Sequence, residues 1–246
     1  MRLIPILFFI YMVVCTACQP KQEPTDQINS NTDSIYILKT FYEKSGKLKS
    51  EITVKNKRKN GPAKEYYPSG KLRSLVQYIN NVTVGETIWY YENGQPYMIT
   101  PYVNGKMNGI RKIYYDNGKL QAEIPYKDGK LLEGTKEFDK SGNLIKNFPR
   151  IIFETTNNIA SNNLFILKCK LDKPANKTLF FQEVINSDGK VVLNPLQSEK
   201  GIAHIEFYIP SNSNIEKEII VWATFETKLK NPVKIKKVYN LTISAN

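Results

Sequence analysis

The sequence predicts an all-β protein: an elongated antiparallel meander of 24-residue β-hairpin repeats, followed by a β-sandwich of immunoglobulin-like type. Three observations predict it. Glycine recurs at a fixed long period, the residues after each of these glycines alternate between an apolar and a polar face, and strand-forming aromatics abound, with 15 Tyr and 11 Phe against 4 Met. The division expected is a leader over residues 1–17, a flexible tether over 18–40, repeats over 41–148 and the sandwich over 149–246.

The repeat carries the argument. Gly46, Gly70, Gly94, Gly118 and Gly142 stand 24 residues apart, inside EKSGKL, YPSGKL, YENGQP, YDNGKL and DKSGNL. Four residues before each glycine lies an aromatic: Tyr42, Tyr66, Tyr90, Tyr114 and Phe138. A second series, Gly61, Gly85 and Gly109, keeps the period, with Gly134 one residue late. Ser-Gly and Asn-Gly supply the positive φ that tight turns need. After them one register takes Leu72/Ser74/Val76/Tyr78 and Leu120/Ala122/Ile124/Tyr126, while the other takes Lys71/Arg73/Leu75/Gln77 and Lys119/Gln121/Glu123/Pro125. Period two with one apolar face describes a half-buried antiparallel strand. Second turns follow at Asn56, Asn80, Asn104-Gly105 and Asp128-Gly129, and a return strand such as Glu86–Tyr91 closes each hairpin. At about 4.8 Å per strand, four repeats predict a ladder about 40 Å long, held together by contacts between neighbours.

The N-terminus reads as a targeting segment. One basic residue, Arg2, precedes an uncharged run from Leu3 to Val14 and then small residues, the layout of a secretory signal and too short for a comfortable membrane span. Cys15-Thr16-Ala17-Cys18 resembles a bacterial lipobox, with Cys15 where Leu is usual, and makes Cys18 the expected lipidation site. Simple signal-peptidase cleavage is the alternative. An acyl chain would anchor the protein by burying about 0.8 kcal/mol per CH₂. The polar segment QPKQEPTDQINSNTDS reads as the tether. With Cys18 acylated, Cys169 is left without a partner in the chain, and its place in LFILKCKL makes it a small apolar core residue.

Beyond Pro149 the period stops and strands continue. The candidates are residues 151–155, 164–171, 178–185, 190–193, 203–209, 218–227 and 233–244, with Trp222 as the expected core aromatic.

Tyr114-Tyr115-Asp116-Asn117-Gly118-Lys119-Leu120, followed by Tyr126-Lys127-Asp128-Gly129-Lys130, resembles the bacterial MORN-repeat variant, the repeat found in the YwqK-type antitoxin family. The resemblance covers about residues 41–148, with Pro96 in place of Leu and Asp139 in place of an aromatic. It implies a β-hairpin repeat used for contacts with protein or membrane.

Catalytic parts are scarce. His204 is the single histidine, which excludes a histidine-built metal site, and its strand setting points to a solvent-facing residue. No Gly-rich phosphate loop or nucleophile elbow appears. The expectation is a protein that is not an enzyme, with no cofactor and no metal. The net charge is +12, and between Lys44 and Lys64 eight basic residues stand against Glu51 alone. Such an excess favours anionic partners without choosing among them, and nucleic acid is the least expected.

Two surface features are candidate binding residues. The basic group Lys55, Lys57, Arg58 and Lys59 would meet anionic lipid, glycan or an acidic protein, or would only keep the sheet end soluble. The aromatics Tyr67, Trp89, Tyr91 and Tyr115 would form a contact stripe, or would only stabilise the ladder by cross-strand packing. The function expected is a non-catalytic lipoprotein of the bacterial cell envelope, held to a membrane by its lipid and binding another envelope component, most plainly a protein. An antitoxin or immunity protein, a lipid- or glycan-binding module and a spacer are the alternatives.

Overall fold

The computed structural model describes residues 34–244, so the leader, Cys18 and most of the tether lie outside the described residues. Among the described residues, twelve strands form one antiparallel sheet. They are β1 (Ile35–Phe41), β2 (Leu48–Lys55), β3 (Arg58–Tyr66), β4 (Leu72–Ile79), β5 (Val82–Tyr90), β6 (Pro96–Val103), β7 (Lys106–Met107), β8 (Gly109–Tyr114), β9 (Leu120–Lys127), β10 (Lys130–Leu131), β11 (Lys136–Phe138) and β12 (Leu144–Ile145). The strands pair in the order β1, β2, β3, β4, β5, β6, β8, β9, β11, β12, with short β7 also on β6 and short β10 also on β9, which makes the sheet a meander. It begins earlier than the sequence suggests. β1 occupies part of the stretch expected as tether, because its seven residues pair with β2 from Ile35↔Lys55 to Phe41↔Leu48.

Each repeat turns twice, by different means. At Asn56-Lys57, Asn80-Asn81, Asn104-Gly105 and Asp128-Gly129 both central residues have positive φ, the signature of a two-residue type I′ turn that suits the twist of the flanking strands. At the other end, Tyr67, Tyr91 and Tyr115 each donate their N–H across a three-residue loop, to the carbonyls of Lys71, Gln95 and Lys119. The glycine closes that loop with positive φ.

The second glycine series marks a bulge. Between Leu75↔Ile88 and Gln77↔Val84 the return strand holds two residues more than its partner, and Gly85 lies among them. The same offset surrounds Gly61 and Gly109. At Gly109, φ is +117 and an added Cβ would lie 2.9 Å from Pro101 Cγ.

The C-terminal part is a sandwich. One sheet orders β13 (Ile151–Asn158), β14 (Leu164–Leu171), β18 (Ile202–Tyr208) and β17 (Ser198–Glu199); the other orders β16 (Val191–Leu196), β15 (Asn176–Ile185), β19 (Asn214–Glu226) and β20 (Pro232–Ser244). A single turn of helix, α1 (Ile159–Asn162), joins β13 to β14. Read in chain order, the sheets have the ABED and C′CFG arrangement of immunoglobulin-like sandwiches. Their inner faces share one core, which includes Leu167, Cys169, Phe180, Ile205, Ile219, Val221 and Leu241. Burial pushes the Cys169 thiol up to about 12, so it stays protonated. His204 is exposed, opposite Lys168.

Trp222 is a correction. It is half-buried on the outer side, because Val221 and Ala223 take the inward positions of β19. Its indole N–H donates to Glu183 Oε2 at 2.7 Å, and Lys234 lies 4.2 Å from the ring centroid. Phe180, from β15, supplies the core aromatic instead.

The β19–β20 turn meets the end of the repeat sheet. Thr227 Oγ1 and Asn231 Nδ2 both donate to Glu137 Oε1 at 2.6 Å, and all three residues are buried. Thr135 Oγ1 adds a bond to the Pro232 carbonyl at 3.0 Å.

Candidate functional site

Strand alternation gives the repeat sheet two unlike faces. One carries Val54, Ser74, Thr87, Thr100, Ile113, Ala122, Ile124, Tyr126 and Glu137, all buried. Pairing shows that they share a side: Glu65, Ser74, Trp89, Met98, Ile113, Ala122 and Glu137 lie opposite one another in successive strands.

The neighbouring row belongs to the other face. Lys39, Glu51, Lys64, Leu75, Ile88, Ile99, Lys112, Glu123 and Lys136 follow one another across nine strands. None of them is buried. Three aliphatic side chains therefore stand in line, flanked on both sides by Lys-Glu-Lys. Each flank holds one ion pair, Lys64 to Glu51 at 3.2 Å and Lys136 to Glu123 at 3.5 Å. Tyr66 joins the first, donating its hydroxyl to Glu51 Oε1 at 2.7 Å. Burial and this bond push Tyr66 up to about 12, while the bonds from Tyr66 and Lys64 hold the Glu51 carboxyl below its usual range.

The aromatic residues singled out from sequence lie on the packed side. Tyr67, Tyr91 and Tyr115 donate their hydroxyls to the carbonyls of Tyr90, Tyr114 and Phe138, one repeat further on, at 2.6, 2.8 and 2.8 Å. Tyr42 does the same to Tyr66 at 2.6 Å. Burial raises Tyr91 and Tyr115, as expected for phenols held in neutral hydrogen bonds. Trp89 is half-buried, with the Arg73 guanidinium 5.7 Å from its ring and 5.9 Å from that of Tyr67.

Arg73 sits there because each repeat holds one extra residue after its glycine turn. Lys49, Arg73, Tyr97 and Gln121 are those residues. Lys49 lies over Tyr42, Arg73 over Tyr67, and Tyr97 packs edge-on against Tyr91. In the last unit Asp139 takes the tyrosine position and accepts the backbone N–H groups of Ser141 and Asn143, which closes the turn on itself.

The basic residues cluster elsewhere. Lys55, Lys57, Arg58 and Lys59 surround the first type I′ turn, about one strand length, or roughly 25 Å, from the tyrosine row. Arg58 and Lys57 are exposed, and Lys59 Nζ lies 5.1 Å from the Tyr78 ring centroid. The structure therefore separates the two groups of candidates. The aliphatic row is a third feature, brought together from three strands by their pairing.

Four consecutive stretches of the chain, residues 38–56, 59–80, 83–104 and 107–128, match the MORN repeat variant. These are the hairpins of the repeat sheet, and the first match reaches into β1. No curated protein matches the chain.

Proposed function

We propose that this chain is a non-catalytic binding protein of the bacterial cell envelope, tethered through a lipid on Cys18, whose repeat sheet recognises another envelope protein. The observation that carries the reading is the row centred on Ile88. Leu75, Ile88 and Ile99 offer adjacent apolar area, and each Lys-Glu-Lys flank holds one ion pair, Lys64–Glu51 and Lys136–Glu123. Charges neutralised in this way cost less to desolvate than isolated ones. Recognition on a face built by backbone pairing needs no bond chemistry. The repeat class supports the same reading, since MORN repeats serve as contact modules for protein and lipid.

The basic turn favours a second reading. Lys55, Lys57, Arg58 and Lys59 converge on one hairpin tip, which suits anionic lipid or glycan and adds a salt-sensitive contact.

The test is a crosslinking pull-down from native envelopes with the wild type, an Ile88→Glu variant and a variant with the four basic residues changed to Gln. A discrete protein lost only from Ile88→Glu supports recognition on the aliphatic row. Loss of vesicle or glycan binding only from the Gln variant, with no protein captured by the wild type, moves the function to the basic turn. Retention of the same protein by Ile88→Glu overturns the proposal.

A further inference from the structure

The two ends of the repeat sheet are built differently, and the difference points to a partner. At the far end the ladder tapers. β11 has three residues and β12 two, Asp139 folds its turn back on itself, and the chain leaves for the sandwich. Short terminal strands are one of the ordinary ways to prevent further pairing.

Among the described residues the near end shows no such taper. β1 is seven residues long, reads Ile-Tyr-Ile-Leu-Lys-Thr-Phe, and contains neither proline nor glycine. Ile35, Tyr36, Ile37, Leu38 and Phe41 are between 49% and 64% exposed. Successive residues point to opposite faces, so Tyr36 and Leu38 leave one face apolar while Ile35 and Ile37 leave the other so. That is the composition of a strand inside a sheet, placed at its margin.

The outer backbone of β1 is also open. Asn56 N–H bonds the Ser34 carbonyl, and Ser34 N–H bonds Asn56 Oδ1, so residue 34 faces β2. By alternation, the N–H and C=O groups of Ile35, Ile37 and Lys39 point outward, with no described strand beside them.

We infer that β1 pairs with β1 of a second copy of this chain, antiparallel, about a two-fold axis at Leu38. The strand is complementary to itself in this register. Ile37 faces Lys39 of the other copy, Ile35 faces Phe41, Tyr36 faces Thr40, and Leu38 faces Leu38. The outward groups of residues 35, 37 and 39 then all find partners. Lys39, the single charge of β1, meets an isoleucine and not its own counterpart. The antiparallel order of the ladder continues unbroken through the axis. Growth stops at two copies, because the tapered far end offers no second strand of this kind. This inference is independent of the contact proposed on the aliphatic row.

The test is sedimentation and light scattering of the full chain in detergent, with four variants. Ile37→Pro removes an outward N–H and leaves the β2 side intact, since edge strands tolerate proline; Ile37→Lys blunts the edge without touching the backbone. Both are expected to halve the mass of the wild-type dimer while the far-ultraviolet circular dichroism stays unchanged. In a Cys15→Ser, Cys18→Ser background, Leu38→Cys is expected to oxidise to a covalent dimer. Tyr36→Cys forms no covalent dimer there, because its counterpart lies about 14 Å away. A wild type that is monomeric up to about 100 µM overturns the inference, as does a dimer that survives both Ile37 variants. Slow amide exchange at Ile35, Ile37 and Lys39 in a monomer would show the chain's own earlier residues on this edge, and would overturn it equally.

Discussion

Tyr91 donates its hydroxyl to the backbone carbonyl of Tyr114, 23 residues later, at 2.8 Å. The same bond links Tyr67 to Tyr90 and Tyr115 to Phe138, so each repeat is tied to the next beside its turn as well as through its strands. A hairpin alone is marginal in water, and an array of hairpins is held by such interfaces. Removing the hydroxyl alone, with Tyr91→Phe, is expected to cost about 0.5–1.5 kcal/mol. Tyr91→Ser costs more, because the ring also packs against Tyr97 at 5.2 Å between centroids. Urea unfolding of the two variants measures the difference.

Gly109→Ala is expected to destabilise the sheet by more than about 1 kcal/mol, because positive φ and a close neighbour act together. Its Cβ would meet Pro101 Cγ at 2.9 Å with φ at +117. Gly142→Ala has positive φ but nothing within 4 Å, and should cost less. The order of the two thermal midpoints checks this.

The Glu51–Tyr66 pair predicts a stability profile with two limbs. Glu51 is depressed in the folded state, so its contribution is present above the unfolded value near 4.5 and is lost as pH falls below it. Tyr66 is raised from 10.0 to about 12, so its contribution is complete below pH 10 and is lost as pH climbs from there to about 12. Tyr66→Phe removes the hydroxyl from both limbs. Denaturant midpoints at pH 3, 7 and 11 are expected to vary less in the variant than in the wild type.

Glu137→Ala is expected to loosen the junction of sheet and sandwich. Thr227 and Asn231 would each lose the acceptor they bond at 2.6 Å, at a cost of about 1–3 kcal/mol per buried group left unpaired. Glu137→Gln keeps a carbonyl acceptor and should cost less. Scanning calorimetry is the check, with Glu137→Ala expected to separate one transition into two.

Much of this protein is legible in its sequence, and the reasons are local. Glycine and Asn-Gly at a 24-residue period dictate turns through backbone sterics, and period-two alternation dictates strands, so the hairpins could be read directly; the extra residue after each glycine turn, which sets Leu72 opposite Tyr66 and Arg73 beside Trp89, could not. The seven long strands of the sandwich could be found in the same way, and Cys169 was correctly placed in its core by its apolar neighbours. What could not be read is what depends on contacts between distant residues. β1 carries no turn glycine, and only its pairing with β2 makes it part of the sheet. Alternation separates Tyr66 from Tyr67 but does not say which face is packed, and the bonds of Tyr67, Tyr91 and Tyr115 to the next repeat are visible only in three dimensions. Trp222 lies outside because Val221 and Ala223 face the opposite sheet. The line of Leu75, Ile88 and Ile99 exists only because three strands align them. Sequence determined the repeat because turns and alternation are nearest-neighbour physics; tertiary structure decided faces, edges and junctions because these depend on which strand lies beside which.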